Sequence, residues 1–311
     1  MLFAALVPAC HTRADPPAPA AARLLEQAPA VGRSAPALEE LRNATYRGVA
    51  EADTPFTLAG GKWEGQPFAP GAASRPSVTL VRDFRLAGDV DGDGTEEAVV
   101  LLAANAGGTG EMSYVAVVGR SGGKLTNIST APVGDRVQVR SAKIDGRRIA
   151  LDVVQGGVDD AACCPRDLVT RTWMLEGGAL KEGAPTRTGR LSIETIAGAE
   201  WVLKWWTWDE AAPATPEVTL RLDGGRFTGS AGCNNYFAPV QSGGAPGDIT
   251  VGPAGATRRM CPELEMTIES RFLRQLGGVA QLRFVAAQLA LSYAKPDGTI
   301  GVMLFDRRTT R

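Results

Sequence analysis

Asp89, Asp91 and Asp93 stand at alternate positions in the string AGDVDGDGTEE, residues 87–97, and Thr95 and Glu97 continue the same spacing. Oxygen donors at every second residue of a curling loop suit a hard cation such as calcium, which takes about six to eight oxygen ligands in flexible geometry. Gly92 and Gly94 permit the curl. With Asp89 as the first position, Asp91, Asp93, the Thr95 carbonyl and Glu97 fall at the third, fifth, seventh and ninth. The twelfth, where a calcium-binding helix-loop-helix places a bidentate glutamate, is Val100. The string is therefore no EF-hand. Two readings stay open: a structural calcium loop, and an acidic glycine-rich hairpin whose solvated carboxylates repel one another.

The chain's composition narrows other chemistry. His11 is the sole histidine and lies beside Cys10 near the start, which removes Ser-His-Asp and Cys-His nucleophile systems and histidine zinc sites from the folded part. The 33 basic and 34 acidic residues leave no electrostatic footprint for nucleic acid. NAGGTGEMSY is glycine-rich but lacks the Gly-Lys-Ser/Thr ending of a phosphate loop, and reads as a hairpin loop. Four tryptophans cluster at Trp201, Trp205, Trp206 and Trp208. Trp205, Trp206 and Trp208 form either an exposed aromatic surface for a glycan or protein partner, or packing between two domains.

The elements that must position these residues are mostly strands. Glycine (37) and proline (20) are frequent, as short strands joined by many turns require, and 311 residues suggest two domains. Residues 41–185 form the first, a β-rich antiparallel sheet or sandwich. SVTLVRDFRL sets Val78, Leu80, Phe84 and Leu86 on one face, EAVVLLA is apolar on both, and YVAVVG, RVQVRSAKI, RIALDVV and LVTRTWML follow. Residues 37–44 alone there have a helical period. A second domain, 195–311, has short strands and one amphipathic helix, residues 262–276, with Leu264, Ile268, Phe272, Leu273 and Leu276 as its stripe and Gly277-Gly278 to end it in the left-handed conformation. A lone amphipathic helix must lie on a sheet, so this half is α+β and the chain is mainly β.

Two segments resemble known families. MLFAALVPAC, residues 1–10, resembles the end of a bacterial lipoprotein signal in which Cys10 is lipidated, and the Pro/Ala-rich residues 11–40 read as a tether. WVL, GCNNY and TRRMCP, with paired terminal strands ending in GVMLF, resemble a META domain, the HslJ-like module of bacterial envelope proteins. That resemblance implies a sheet packed around the helix, an envelope setting and a stress-response association, and no established catalytic activity. Cys233 and Cys261 lie in its two motifs, so they are expected to pair, stabilising by about 3 to 4 kcal/mol in the chain-entropy model. Cys163 and Cys164, adjacent in DDAACCPRDL, remain open between a strained vicinal disulfide, thiols and a soft-metal site. The acidic loop itself, present in one copy, resembles the Asp-x-Asp-Gly-Asp-Gly loops that recur between strands in integrin-like β repeats, where calcium is structural; the resemblance covers the loop alone.

The expectation is thus a non-enzymatic, lipid-anchored envelope protein on the periplasmic side of the outer membrane, with calcium as its one structural cofactor, acting by binding or envelope maintenance. A partner-binding or inhibitor module using the tryptophans is the alternative. A hydrolase of envelope polymers would need Asp159 or Asp160 to face Glu97 across a cleft.

Overall fold

The structure is a computed structural model that describes residues 34–52, 55–157, 160 and 164–308. Cys10 and most of the tether lie outside the described residues, as do Asp159 and Cys163. The chain is mainly β, its sheets antiparallel, with one long helix in the C-terminal half. No helix among the described residues is long and apolar enough to cross a membrane.

The first domain is built on a six-stranded sheet. Its order is Lys62–Glu64, Ser77–Leu80, Glu97–Asn105, Met112–Ser121 and Lys124–Asp135, with Leu86–Gly88 paired onto Glu97–Asn105. A strand apolar at successive positions needs cover on both faces. Glu97–Asn105 has it: Ala98, Val100, Leu102 and Ala104 enter one core with Tyr46, Phe56 and Leu58, while Val99 and Leu101 enter another with Ile149, Leu151 and Trp173. Each Val or Leu so buried contributes about 1.5–3 kcal/mol, more than a typical surface ion pair, so apolar cover rather than charge fixes this strand's place.

The first core is closed by the helix Leu38–Leu41 and the pair Thr45–Tyr46 with Phe56–Thr57. Packing begins within the segment read as tether, because Ala35 is buried and Arg85 donates to the carbonyls of Pro36 (2.7 Å) and Ala35 (3.0 Å). The second core is closed by a five-stranded sheet, ordered Ala179–Glu182, Asp167–Glu176, Arg148–Gln155 and Gln138–Asp145, with Thr186–Arg190 also paired to Asp167–Glu176. The run SVTLVRDFRL is not one strand. Asp83 turns left-handed at φ 56, so Val78 and Leu80 face the first core and Phe84 the second.

The C-terminal sheet has nine strands. Eight run in the order Ile249–Val251, Asn235–Ser242, Arg226–Ser230, Thr219–Asp223, Trp201–Trp205, Ile300–Arg307, Gln288–Ala294 and Val279–Val285, and Gly255–Ala256 pairs with Asn235–Ser242. Its two ends meet, since Leu282 N–H donates to the Gly247 carbonyl (2.7 Å) and Gln281 Nε2 to Asp248 Oδ1 (3.3 Å). Curling the sheet on itself protects edges that would otherwise offer unpaired backbone groups.

The helix Glu263–Gly277 buries Ile268, Phe272 and Leu276 in the enclosed core, with Phe272 edge-on to Tyr236 at 5.1 Å. Leu264, expected in this stripe, is instead 62% exposed in the first turn. The left-handed ending is also absent. Gly278 sits at φ −96, ψ 1 because the next strand starts at once, and a Cβ there would meet the Ala294 carbonyl at 3.1 Å.

The two regions expected as separate domains belong to one compact unit and share packing. Val154 and Leu168, from strands of the first domain, pack in the C-terminal core. In return the hairpin joining Val279–Val285 to Gln288–Ala294 packs Ala286 against the first domain's second core, and Ala287 N–H donates to the Val139 carbonyl (2.9 Å). Both turn residues have positive φ, 51 and 67, as the two-residue hairpin turn that matches strand twist demands. Asn-Gly is the usual occupant of such a turn. Ala-Ala fits here because the tip packs in a domain contact, where a methyl fills space without burying a polar group.

Candidate functional site

The acidic string forms the loop between two adjacent strands, since Gly88 pairs with Glu97 and Leu86 with Val99. Each aspartate folds it by accepting backbone N–H groups. Asp89 accepts from Gly92 (2.6 Å) and Gly94 (3.0 Å), Asp91 from Asp93 (2.9 Å), and Asp93 from Thr95 (2.7 Å). Gly92 and Gly94 adopt φ 86 and 84, which the curl requires. One carboxylate oxygen from each of Asp89, Asp91 and Glu97 lies within 4.8 Å of the others. The Asp93 carboxylate is not part of that convergence; it closes the neighbouring turn by accepting the Thr95 N–H.

Glu97 differs from the rest, being 2% exposed and accepting the Val90 N–H at 3.0 Å. Burial raises its carboxyl above the usual range against that hydrogen bond, and the charges of Asp91, Asp93 and Asp89 raise it further. An all-oxygen donor set with a desolvated acid at its base fits a hard divalent cation, which would offset the mutual repulsion.

Of the two aspartates that a hydrolase would set against Glu97, Asp159 lies outside the described residues. Asp160 accepts from Gly157 N–H (2.8 Å) and pairs with Arg166 (2.5 Å), which ties it into its own turn. NAGGTGEMSY is a hairpin loop, as read: Asn105 donates to the carbonyls of Gly108 (3.1 Å) and Gly110 (2.7 Å) and accepts from Gly107 N–H.

Trp205, Trp206 and Trp208 do not make one surface. Trp206 is 3% exposed and packs in the C-terminal core under Arg271, whose guanidinium lies 4.5 Å from the ring and is held by Glu210. The strand ends at Trp205, and the next residue turns inward as Trp206 N–H donates to the Glu210 carbonyl (2.8 Å). Trp205 is half-buried beneath Arg82 of the first domain, 5.0 Å away, and Trp208 is 53% exposed, its carbonyl accepting from Arg82.

These two tryptophans flank a cleft where the domains meet. It comprises two recesses, about 500 and 670 Å³, that share Trp205, Asp83, Ala286 and Gln288 in their linings. Asp83, Ala286 and Ala287, three of the described non-glycine residues with positive φ, line it. Backbone held in sparsely populated regions costs about 1–3 kcal/mol per residue and collects at functional sites. Sequence reasoning passed over Arg82, Asp83 and the Ala-Ala turn; the one signal was VAAQ between two alternating apolar runs, with no turn former to mark it.

Residues 194–303 match the family model described as META domain. The C-terminal half carries a META domain. No curated protein matches the chain. A solved structure described as an NMR structure of a protein from Burkholderia xenovorans is 22% identical, covering 38% of this chain and 86% of its own, at a TM-score of 0.30.

The two motifs of the META domain meet through a disulfide between Cys233 and Cys261, with Cα atoms 5.9 Å apart. Asn234 beside it is buried and fully engaged. Its backbone N–H donates to Glu269 (2.7 Å) on the helix, its amide nitrogen to the Arg259 carbonyl (3.1 Å), and its amide oxygen accepts from Thr257 (2.8 Å) and Arg259 N–H (2.7 Å). With both sulfurs oxidised, Cys233 and Cys261 offer neither thiolate nucleophile nor metal ligand, so GCNNY and TRRMCP serve to pin turn to helix. Cys164 is disulfide-bonded, and its neighbour Cys163 lies outside the described residues.

Proposed function

We propose that this is a non-catalytic, lipid-anchored envelope protein that acts by binding, with the cleft between its first β domain and its META domain as the site. One observation carries the reading: the Ala286-Ala287 tip docks on the first domain, so that Trp205 and Arg82, one from each domain, stack at the cleft. Asp83, held at φ 56 outside that hairpin turn, lines the cleft and agrees with a site rather than a plain seam. The lipoprotein-like segment ending at Cys10 supports the anchor on the periplasmic side of the outer membrane. The META domain is consistent with an envelope-associated protein.

Calcium has a structural role in this reading. It would be held by Asp89, Asp91 and Glu97, with Asp93 and Thr95 shaping the loop, and would stiffen the hairpin that leads into the doubly covered strand Glu97–Asn105. The test of the binding role is retention of the full chain on immobilised envelope extract. An Arg82→Ala/Trp208→Ala variant with an unchanged melting curve is expected to lose retention, and equal retention of both proteins would reject the cleft.

A further inference from the structure

The cleft is more basic than the rest of a chain whose formal net charge is −1. The smaller recess is lined by Arg140, Lys204 and Arg307 around Trp205, against Asp83 and Asp306. Asp306 is already engaged, accepting from Gln288 at 2.7 Å. Among the described residues Arg140, Lys204 and Arg307 make no side-chain ion pair, and the Nε of Arg140 is buried without a hydrogen-bond partner. A buried guanidinium donor left unpaired is costly, and the unpaired charge of Arg140 stands at the wall of the recess. The larger recess adds Arg82, the acidic Glu111, and Arg42 and Lys62, which pair with Glu39 (4.0 Å) and Glu64 (2.5 Å), and it ends at the exposed Trp208.

The geometry points to an anionic glycan as the ligand of this cleft, with its anionic group among Arg140, Lys204 and Arg307 and the sugar chain running past Trp205, whose ring Arg82 covers, to the exposed Trp208. The inference rests on the binding role proposed above and names its ligand class. The exposed indole of Trp208 can give a sugar's C–H face apolar contact while the ring's hydroxyls stay free to hydrogen-bond. Guanidinium groups recognise carboxylate or phosphate oxygens by paired N–H donation. Two recesses sharing one tryptophan suit a polymer that runs through both. A volume of about 500 Å³ also lies within the range of small-ligand sites.

The probes are tetragalacturonate, which carries carboxylates, and glucose 6-phosphate, which carries the other sugar anion. Each is titrated into the full chain by calorimetry and tryptophan fluorescence. Binding of either supports the inference and identifies the anion preferred. Affinity is expected to fall with salt, and by about tenfold or more in Lys204→Ala/Arg307→Ala, whose two side chains are exposed and whose melting should match wild type. Equal affinity for neutral galactotetraose would overturn the anionic assignment while leaving the cleft as a site. Equal affinity for hexaglutamate would overturn the sugar. Failure of both sugar probes to bind, with envelope retention intact, overturns the inference alone; loss of retention as well removes the binding role with it.

Discussion

At the scale of single residues, Glu97 and Asp152 show burial acting in opposite company. Glu97 is desolvated beside three other carboxylates, so its proton is held too tightly for a free acid and a cation has most to offset there. Wild type in millimolar calcium is expected to melt higher than in chelator, and Glu97→Gln to show no such rise. A cation at a hundred times its Kd stabilises by about 2.7 kcal/mol, which differential scanning calorimetry resolves. Asp152 is also partly buried, which raises its carboxyl. Donation from Ser141 and Thr170 (2.6 Å each), helped by the charges of Arg140 and Lys143, outweighs this and holds it below its ordinary value of 3.8. A depressed acid contributes stability that is full above the ordinary value and lost as pH falls through the lowered one. The midpoint of Asp152→Asn should therefore fall less steeply than wild type between about pH 5 and pH 2, and parallel curves would show that Asp152 has no such role.

At the scale of elements, the helix Glu263–Gly277 separates stripe from surface. Phe272→Ala should cost about 3–5 kcal/mol in urea unfolding, while Leu264→Ala stays within about 0.5 kcal/mol of wild type, although both residues belong to the same periodic pattern. That contrast marks how far sequence reaches. Periodicity located the helix and the doubly apolar strand Glu97–Asn105, because each pattern has one physical solution. It does not say where the sheet beneath a helix stops, which is why Leu264 was misplaced. Nor does alternation in SVTLVRDFRL report the left-handed turn at Asp83, since aspartate carries no obligatory signal for it. The loop's hairpin setting and the pairing of Cys233 with Cys261 were legible from local motifs. The cleft was not, because Arg82, Trp205 and Ala286 come from three distant segments and only tertiary packing joins them.

At the scale of the whole molecule, the cores of the two domains overlap. Val154 belongs to a strand of the first sheet pair and to the core of the META domain, so unfolding should be one cooperative transition in which circular dichroism and tryptophan fluorescence coincide. Val154→Ala should lower both signals' midpoints together, by about 2 kcal/mol; separate transitions would show the domains to be independent. A further consequence concerns the order of emergence. In the META sheet Trp201–Trp205 has Thr219–Asp223 on one side and Ile300–Arg307 on the other. As the chain, exported in the proposed reading, emerges N-terminus first, the first of these neighbours arrives soon after it, and the second only when nearly the entire domain has emerged. Until then a tryptophan-bearing strand stands as an open border of a growing sheet, able to pair with any other nascent chain. Arg307 therefore closes what Trp201 opens, and a nascent META domain stalled before Ile300 would be the form of this protein most prone to aggregate.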